Sequence, residues 1–252
     1  MLTVQNVYDF INERAPFDLQ ESFDNAGILV GHPDQEVHGI HVAMDVTGRV
    51  IDEAEAHGAN LIITHHPMMF SARRRLVETD SETRLLCRLI RSNISLIAAH
   101  TNLDRAPGGI NDVLAQLCGL TEITGDAFVR VGALSAPMTA GALAEDLSRR
   151  LNTLVRVMGD ESLPVAKVGL CSGAGSDFCE EARRMGAQAF LTGETKHHHA
   201  LEAAENGMVM LEAGHFATEA PGIFALADAL QIWLNAVQYS VCVSKSEAPA
   251  YA

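Results

Sequence analysis

The feature that most constrains this chain of 252 residues is a match between two of its own segments, which lie about half the chain apart. Residues 52–64, DEAEAHGANLIIT, align without a gap with residues 180–192, EEARRMGAQAFLT. In each copy an acidic, alanine-containing stretch favours a helix, a Gly-Ala pair ends it, and a short apolar run predicts a buried strand. The same helix, turn and strand occurring twice predict two similar α/β halves.

The segments around each copy extend this pattern. A β-rich run precedes each helix, at 39–45 and at 166–171, so each copy is part of a predicted βαβ unit. Two more helices lead into strands, the first into 94–99 and the second into 208–213, and a histidine follows each of these strands closely. We therefore expect the α/β fold class, with two α/β lobes whose mainly parallel sheets are covered by helices.

The charge balance and the hydropathy pattern exclude several classes of protein. Lys and Arg number 18 against 32 Asp and Glu, a formal charge of −14, so we expect no general nucleic-acid binding. No apolar stretch approaches the roughly 20 residues that cross a bilayer, and the N-terminus lacks a signal-peptide pattern, so no membrane partner is expected. Five isolated cysteines without a CxxC pair indicate reduced thiols and a cytoplasmic location.

Polar side chains gather where four of the predicted strands end. Ligands of parallel α/β sheets bind beyond the carboxyl ends of the strands, so these segments are candidates for one rim. The segments are Thr64-His65-His66-Pro67, His100 to Asp104, Thr192 to His199, and Gly214 to Glu219.

This set of side chains is suited to metal binding. Imidazole together with carboxylate suits Zn, Fe, Mn or Co, and a carboxylate can bridge two ions. His215 and Glu219 are four residues apart and would share one face of a helix beginning there. A single histidine after a strand is more often a cap or a solvated side chain, but six such residues together favour a metal site. The six are His65, His66, His100, Asp104, His215 and Glu219.

Four of the chain's segments also carry a resemblance to a known family. They are THHP at 64–67, AAHTNLDRAPGGINDVLA at 98–115, GSDFCEEARRMGAQAFLTGETKHHHAL at 175–201 and AGHFATEAPG at 213–222. Together they resemble the dinuclear-metal-centre family of GTP cyclohydrolase 1 type 2, or Nif-three-like, proteins. One departure is Phe23-Asp24-Asn25, where that family usually has Trp-Asp-Asn; an aromatic residue in place of an aromatic residue suggests preserved packing.

The resemblance implies a ligand set and an architecture. It implies two divalent ions per chain, Zn, Fe, Mn or Co, with Glu219 as a bridge and His100 as either a sixth ligand or a close neighbour. It also implies one lobe of residues 1–125 and 208–252, a second lobe of 126–207, and a ring-shaped homohexamer. The implied metal ligands are His65, His66, Asp104, His215 and Glu219.

The resemblance further implies a metal-dependent hydrolase that opens the ring of a nucleotide. The leaving group of such a reaction must be protonated, and imidazole, with an unperturbed pKa of about 6.5, suits that role, so His100 and His198 are the candidate catalytic proton carriers. Two alternatives use the same ligands: a non-enzymatic, ring-forming metal-binding scaffold protein, and a nucleotide phosphoesterase. The run Arg73-Arg74-Arg75 is a candidate contact for a phosphorylated substrate, although a solvated loop is the commoner explanation. The run His197-His198-His199 would lie near the site as a proton carrier or a phosphate contact, and the alternative is a solvated helix start. The turn at 173–177 is predicted to be a tight turn, with anion binding as the less favoured alternative.

Overall fold

The computed structural model describes residues 1–249, and residues 250–252, which the sequence assigns to the first lobe, lie outside the described residues. The chain divides into two units. The first contains Met1–Pro107 and the segment from Ile223 onward, and the second contains Gly108–Gly222. The second unit thus begins earlier and ends later than the lobe expected at 126–207, because the segments on either side supply Leu114 and Leu211 to its core.

The helices and strands are numbered in chain order. The helices are α1 (Val4–Arg14), α2 (Gly48–Ala56), α3 (Ser81–Arg91), α4 (Thr101–Arg105), α5 (Ile110–Leu117), α6 (Ala140–Leu151), α7 (Cys179–Arg184), α8 (His197–Glu205) and α9 (His215–Ala236). The strands are β1 (Gly27–Val30), β2 (Ile40–Ala43), β3 (Leu61–Thr64), β4 (Ser95–Ala98), β5 (Thr121–Thr124), β6 (Arg130–Thr139), β7 (Arg156–Met158), β8 (Pro164–Leu170), β9 (Ala189–Thr192), β10 (Val209–Glu212) and β11 (Val243–Lys245).

The first unit is built on a five-stranded sheet of order β1-β4-β3-β2-β11. Strands β4, β3, β2 and β11 are parallel, and β1 adds an antiparallel edge. Helix α2 begins where the Thr47 side chain accepts a hydrogen bond from the Val50 N–H, and Gly58 follows it with a φ of +66°. Ile62 and Leu96 of the sheet pack in one buried cluster with Leu89 of α3.

The second unit has a six-stranded sheet of order β5-β6-β8-β9-β10-β7. Its central strands β8, β9 and β10 are parallel, and its other three pairings are antiparallel. Residues 130–137, which follow the lobe boundary expected at 125–126, are part of β6, which pairs with β8. Both predicted βαβ units are present, and the α/β fold class is confirmed.

Helix α9 begins at His215, as the spacing of His215 and Glu219 predicts, and not at Pro221, which lies six residues further on. Pro221 lies inside the helix, where it has no N–H to donate to the carbonyl of residue 217, but the helix continues past it to Ala236. The earlier start has a consequence for function, because it places His215 and Glu219 in the first turns of a regular helix. Within residues 1–249 no helix, including the 22-residue α9, is long and apolar enough to cross a membrane.

Candidate metal centre

Three histidines meet at the carboxyl ends of two neighbouring parallel strands in the first unit. His65 and His66 follow β3 directly, and His100 follows β4, whose Ala98 is in register with Thr64. Each imidazole offers a nitrogen, and these three atoms lie within 4.8 Å of one another. The ring centroids of His65 and His100 are 5.1 Å apart. The predicted convergence of the strand ends is therefore present within this unit.

The ring of His65 is oriented by the backbone. The side chain is fully buried, and its Nδ1 lies 2.9 Å from the carbonyl oxygen of Ala99. Because a carbonyl can only accept, Nδ1 carries the proton, and the lone pair of the neutral ring belongs to Nε2. That Nε2 atom is 3.6 Å from Oδ1 of Asp104, which lies one turn into α4. The pair thus presents an imidazole nitrogen and a carboxylate on the same side.

Carboxylates orient the other two imidazoles of this group. Nδ1 of His66 donates to Oδ1 of Asp45 at 2.7 Å, and Nδ1 of His100 donates to Oδ1 of Asp24 at 2.8 Å. In each ring Nδ1 therefore carries the proton, and the lone pair of the neutral ring belongs to Nε2. Histidines that bind metals usually donate their second ring N–H to a carboxylate or a carbonyl, which selects the tautomer and the ring orientation. All three histidines follow that rule.

Asp24 is itself held in place. Its side chain accepts hydrogen bonds from the N–H and the hydroxyl of Thr101 and from the Asn25 N–H, in addition to the bond from His100. Burial raises the pKa of Asp24, but the hydrogen bonds from His100 and Thr101 outweigh burial and lower the pKa to about 2. Asp24 is therefore a carboxylate at any physiological pH.

The second unit holds the other predicted ligands. Nε2 of His215 is 3.0 Å from Oε2 of Glu219, as the four-residue spacing predicts for the first turns of α9. Nδ1 of His215 is 2.8 Å from Oε1 of Glu194, which repeats the arrangement in the first unit. Glu219 is buried, and a Cβ at Gly173 would overlap its Oε1, so the turn at 173–177 makes room for this carboxylate.

The histidine run near α8 has a different environment. His199 lies 3.0 Å from the Ser176 hydroxyl through Nδ1 and 3.4 Å from Asp177 through Nε2, and Lys196 forms an ion pair with Asp177. His198 is exposed, and its ring centroid is 4.2 Å from that of His199. Within residues 1–249 His198 does not belong to a group of three ligand side chains, so its catalytic role stays a prediction.

Of the three arginines at 73–75, one forms ion pairs within its unit and the other two are exposed. Arg73 forms ion pairs with Glu82 and Asp80, whereas Arg74 and Arg75 are exposed in the same loop. A cleft of about 240 Å³ opens beside His66 in this unit and is lined in part by Asp45 and Glu82.

The residues that orient the imidazoles are not among the site residues that the sequence predicts. Asp45 and Glu194 each come shortly after a strand, β2 and β9, and the same strand-end reasoning that found the histidines would have found them. Asp24 belongs to the Phe23-Asp24-Asn25 motif, and nothing near it in the sequence indicates a partner 76 residues away.

The donor set fits a divalent transition metal. Neutral imidazole nitrogens with buried or partly buried carboxylates are the ligands that Zn, Fe, Mn and Co accept, and the imidazoles already have the required tautomer. Because ligand nitrogens must be unprotonated to bind a metal, the acceptors at Nδ1 favour binding through Nε2.

Comparison with known proteins gives concordant matches. Residues 2–249 match the sequence model of the Duf34/NIF3 (NGG1p interacting factor 3) family. A GTP cyclohydrolase 1 type 2 homolog of Clostridium acetobutylicum is 33% identical over 242 residues, covering 91% of this chain and 90% of the relative. Another homolog of that name, from Streptomyces coelicolor, is 34% identical over 221 residues, covering 82% of this chain and 78% of the relative.

The fold is also found among solved structures. The Staphylococcus aureus hypothetical protein SA1388 superimposes with a TM-score of 0.91 at 27% identity, and the match covers 98% of this chain and 96% of that one.

Proposed function

The chain belongs to the Duf34/NIF3 family, and on that premise we propose that it holds two divalent metal ions and hydrolyses a nucleotide. The proposed metal ligands are His65, His66, Asp104, His215 and Glu219. The observation that carries the proposal is the group of three histidines in the first unit, whose ligand nitrogens lie within 4.8 Å of one another. The name shared by the relatives, GTP cyclohydrolase 1 type 2 homolog, supports the reaction class.

A pair of divalent ions would supply a nucleophilic water at neutral pH and polarise the bond under attack. The residues of the chain have separate tasks around that chemistry. Asp104 and Glu219 supply negative charge that lowers the cost of bringing two cations together. Nδ1 of His100 is hydrogen-bonded to Asp24. Nε2 of His100 is therefore either a sixth metal ligand or the atom that carries a proton to the leaving group. His198 is the second candidate proton carrier.

The first test is elemental analysis of protein purified without oxygen and reconstituted with each of the four metals. We expect up to two ions per chain, and less than one ion after reconstitution would contradict the proposal. His65→Ala and Asp104→Ala should lower the metal content, while circular dichroism should show the fold largely retained. An apo protein that is unfolded would make the metals structural cross-links and favour the non-enzymatic scaffold.

The second test is a screen of the metal-replete protein against nucleotides, with Glu219→Ala as the matched control. Formate release from GTP would support ring opening, and phosphate release would identify a phosphoesterase. Turnover that persists in Glu219→Ala would show that the activity does not come from this site. The proposed homohexamer is tested separately by sedimentation equilibrium.

A further inference from the structure

Two large aromatic side chains are exposed beside the histidine group of the first unit. Phe23 is 61% exposed and Phe70 is 51% exposed, and their ring centroids lie 6.1 Å apart with an interplanar angle of 50°. The ring of Phe70 is 6.3 Å from that of His100 and nearly perpendicular to it. An apolar surface of two rings thus adjoins the place where the proposed reaction would occur.

A different aromatic pair in the same unit shows what a purely structural contact looks like. The rings of Tyr8 and Phe17 are stacked at 4.4 Å with an angle of 11°, and Phe17 is only 4% exposed. That pair removes apolar area from water, which is the usual contribution of aromatic residues to stability. Phe23 and Phe70 leave more than half of each side chain in water, so the stability of the fold does not account for their position.

The loop that carries Phe70 is nevertheless held firmly in place. The Asn25 side-chain amide donates to the carbonyls of Met68 and Met69, at 3.3 and 3.1 Å. On the other side of the loop, Glu82 accepts from the Met69 N–H at 2.8 Å and from the Arg73 guanidinium. The exposed ring of Phe70 therefore projects from a loop whose backbone is held by hydrogen bonds on both sides of it.

Phe23, Asp24 and Asn25 act on three neighbouring features. Phe23 supplies one ring, Asp24 orients His100, and Asn25 holds the loop of Phe70. Three consecutive residues thus set the distance between an exposed aromatic surface and an imidazole of the proposed metal centre. This arrangement is what a site needs in order to present a flat substrate to a reacting group.

We propose that Phe23 and Phe70 bind the planar heteroaromatic ring of a purine nucleotide next to His100. A nucleobase has a π-face that stacks on aromatic side chains. Arg74 and Arg75, exposed on the same loop, supply positive charge for its phosphates. This inference rests on the proposed function and adds the residues that recognise the base.

The test measures binding of GTP and of inorganic tripolyphosphate to the metal-replete protein by calorimetry. Phe23→Leu and Phe70→Leu should each raise the Kd for GTP about 10-fold and leave the Kd for tripolyphosphate unchanged, because only GTP has a ring to stack. Leu76→Ala, which removes another exposed apolar side chain from the same loop, is the matched control and should change neither Kd. Arg74→Ala should weaken both ligands alike.

A fluorescence measurement checks the stacking directly. Phe23→Trp keeps an aromatic face and should retain GTP affinity, and its added indole should be quenched by GTP and not by tripolyphosphate. Phe70→Trp should behave in the same way.

Several outcomes would overturn the inference. These are equal GTP affinity in wild type and both leucine variants, no GTP binding by wild type, or a changed oligomeric state of Phe70→Leu with unchanged GTP affinity. The last would make the pair a contact between copies of the chain. Metal content and turnover, measured on the same samples, test the proposed function separately. Protein that binds GTP through the rings but holds no metal would contradict only the proposed function.

Discussion

The two units share a core of three parallel strands and carry different residues at equivalent positions. Strands β3 and β9 both end in threonine, Thr64 and Thr192, and each threonine carbonyl accepts a hydrogen bond from the alanine that follows the next strand. The next two residues are His65-His66 in the first unit and Gly193-Glu194 in the second. Equivalent backbones thus present two imidazoles in one unit, and a glycine with a carboxylate in the other.

The difference follows from what packs over each strand end. A Cβ at Gly193 would lie 2.6 Å from the Gly173 carbonyl oxygen and 2.8 Å from Cα of His215. The start of α9 occupies that space and brings His215 and Glu219. Glu194, at the place of His66, accepts a hydrogen bond from His215 and so supports a predicted ligand. The similar backbones of the two units therefore determine where the strand ends lie. The packing over each strand end determines which side chains, the candidate metal ligands or their supporting residues, stand there.

The largest expected effect concerns the contribution of the second unit to catalysis. His198→Ala should lower turnover by about 10² to 10⁴ with unchanged metal content, because a proton carrier contributes about that much. His197→Ala, in the same exposed run, is the control and should have little effect. Steady-state kinetics with parallel elemental analysis checks both variants. Unchanged turnover in His198→Ala would assign the run to a solvated helix start and leave catalysis to the first unit.

The next effect tests the packing difference at the strand ends. Gly193→Ala should reduce the free energy of unfolding by about 3 kcal/mol, because the added methyl group meets backbone atoms that have little room to move. Gly48→Ala, where a Cβ meets nothing within 4 Å, is the control and should not destabilise the chain. Urea unfolding followed by circular dichroism measures both. Equal stability of the two variants would mean that Gly193 is not needed for the approach of α9.

A smaller effect compares how the two units orient their histidines. If His100 is the sixth ligand, Asp24→Asn should weaken metal binding about 100-fold, whereas unchanged metal affinity would leave His100 as the proton carrier. Glu194→Gln should weaken it about 10-fold or less, within the range found for residues that support metal ligands. The reason is the difference in exposure. The Asp24 side chain is fully buried, whereas that of Glu194 is 62% exposed, so water competes for the hydrogen bond between Glu194 and His215. Titration against a metal-binding dye gives both affinities, and Glu13→Gln at an exposed site serves as a control. Equal losses would mean that burial does not strengthen the support.

The smallest effect concerns the strands themselves. His41 of β2 is fully buried and contacts Ser244 and Glu53, whereas Gly169 has the equivalent register position in β8. Burial lowers the pKa of His41 and outweighs the opposite effect of Glu53. The unfolded chain therefore takes up this proton at a higher pH than the folded chain does.

The stability associated with neutral His41 is complete above the unfolded pKa of about 6.5 and is lost as the pH falls below it. The melting temperature of wild type should fall between pH 7.5 and 5.5, and that of His41→Gln should fall less over the same interval. Scanning calorimetry across this range measures both slopes. Parallel slopes would show that His41 does not cause the loss of stability in acid.

The sequence was sufficient for the elements whose side chains follow a regular pattern. The repeat predicted α2 with β3 and α7 with β9, and the polar residues after the strands predicted the rim of candidate ligands. These features are encoded locally, because the period of apolar residues follows the geometry of a helix or strand and glycine permits the left-handed turn that ends a helix. The spacing of His215 and Glu219 was also informative, because it matches one turn of a helix.

The tertiary structure alone decided which residues orient the imidazoles and which rings lie beside them. Asp24 reaches His100 across 76 residues of sequence, and Phe23 meets Phe70 through a loop that Asn25 holds. No local period encodes such pairs, because a hydrogen bond between distant segments depends on the register of the sheet and on the packing of every element between them. Sequence alone therefore predicted the candidate ligands, whereas the geometry that selects their tautomers arises only when the strands pair.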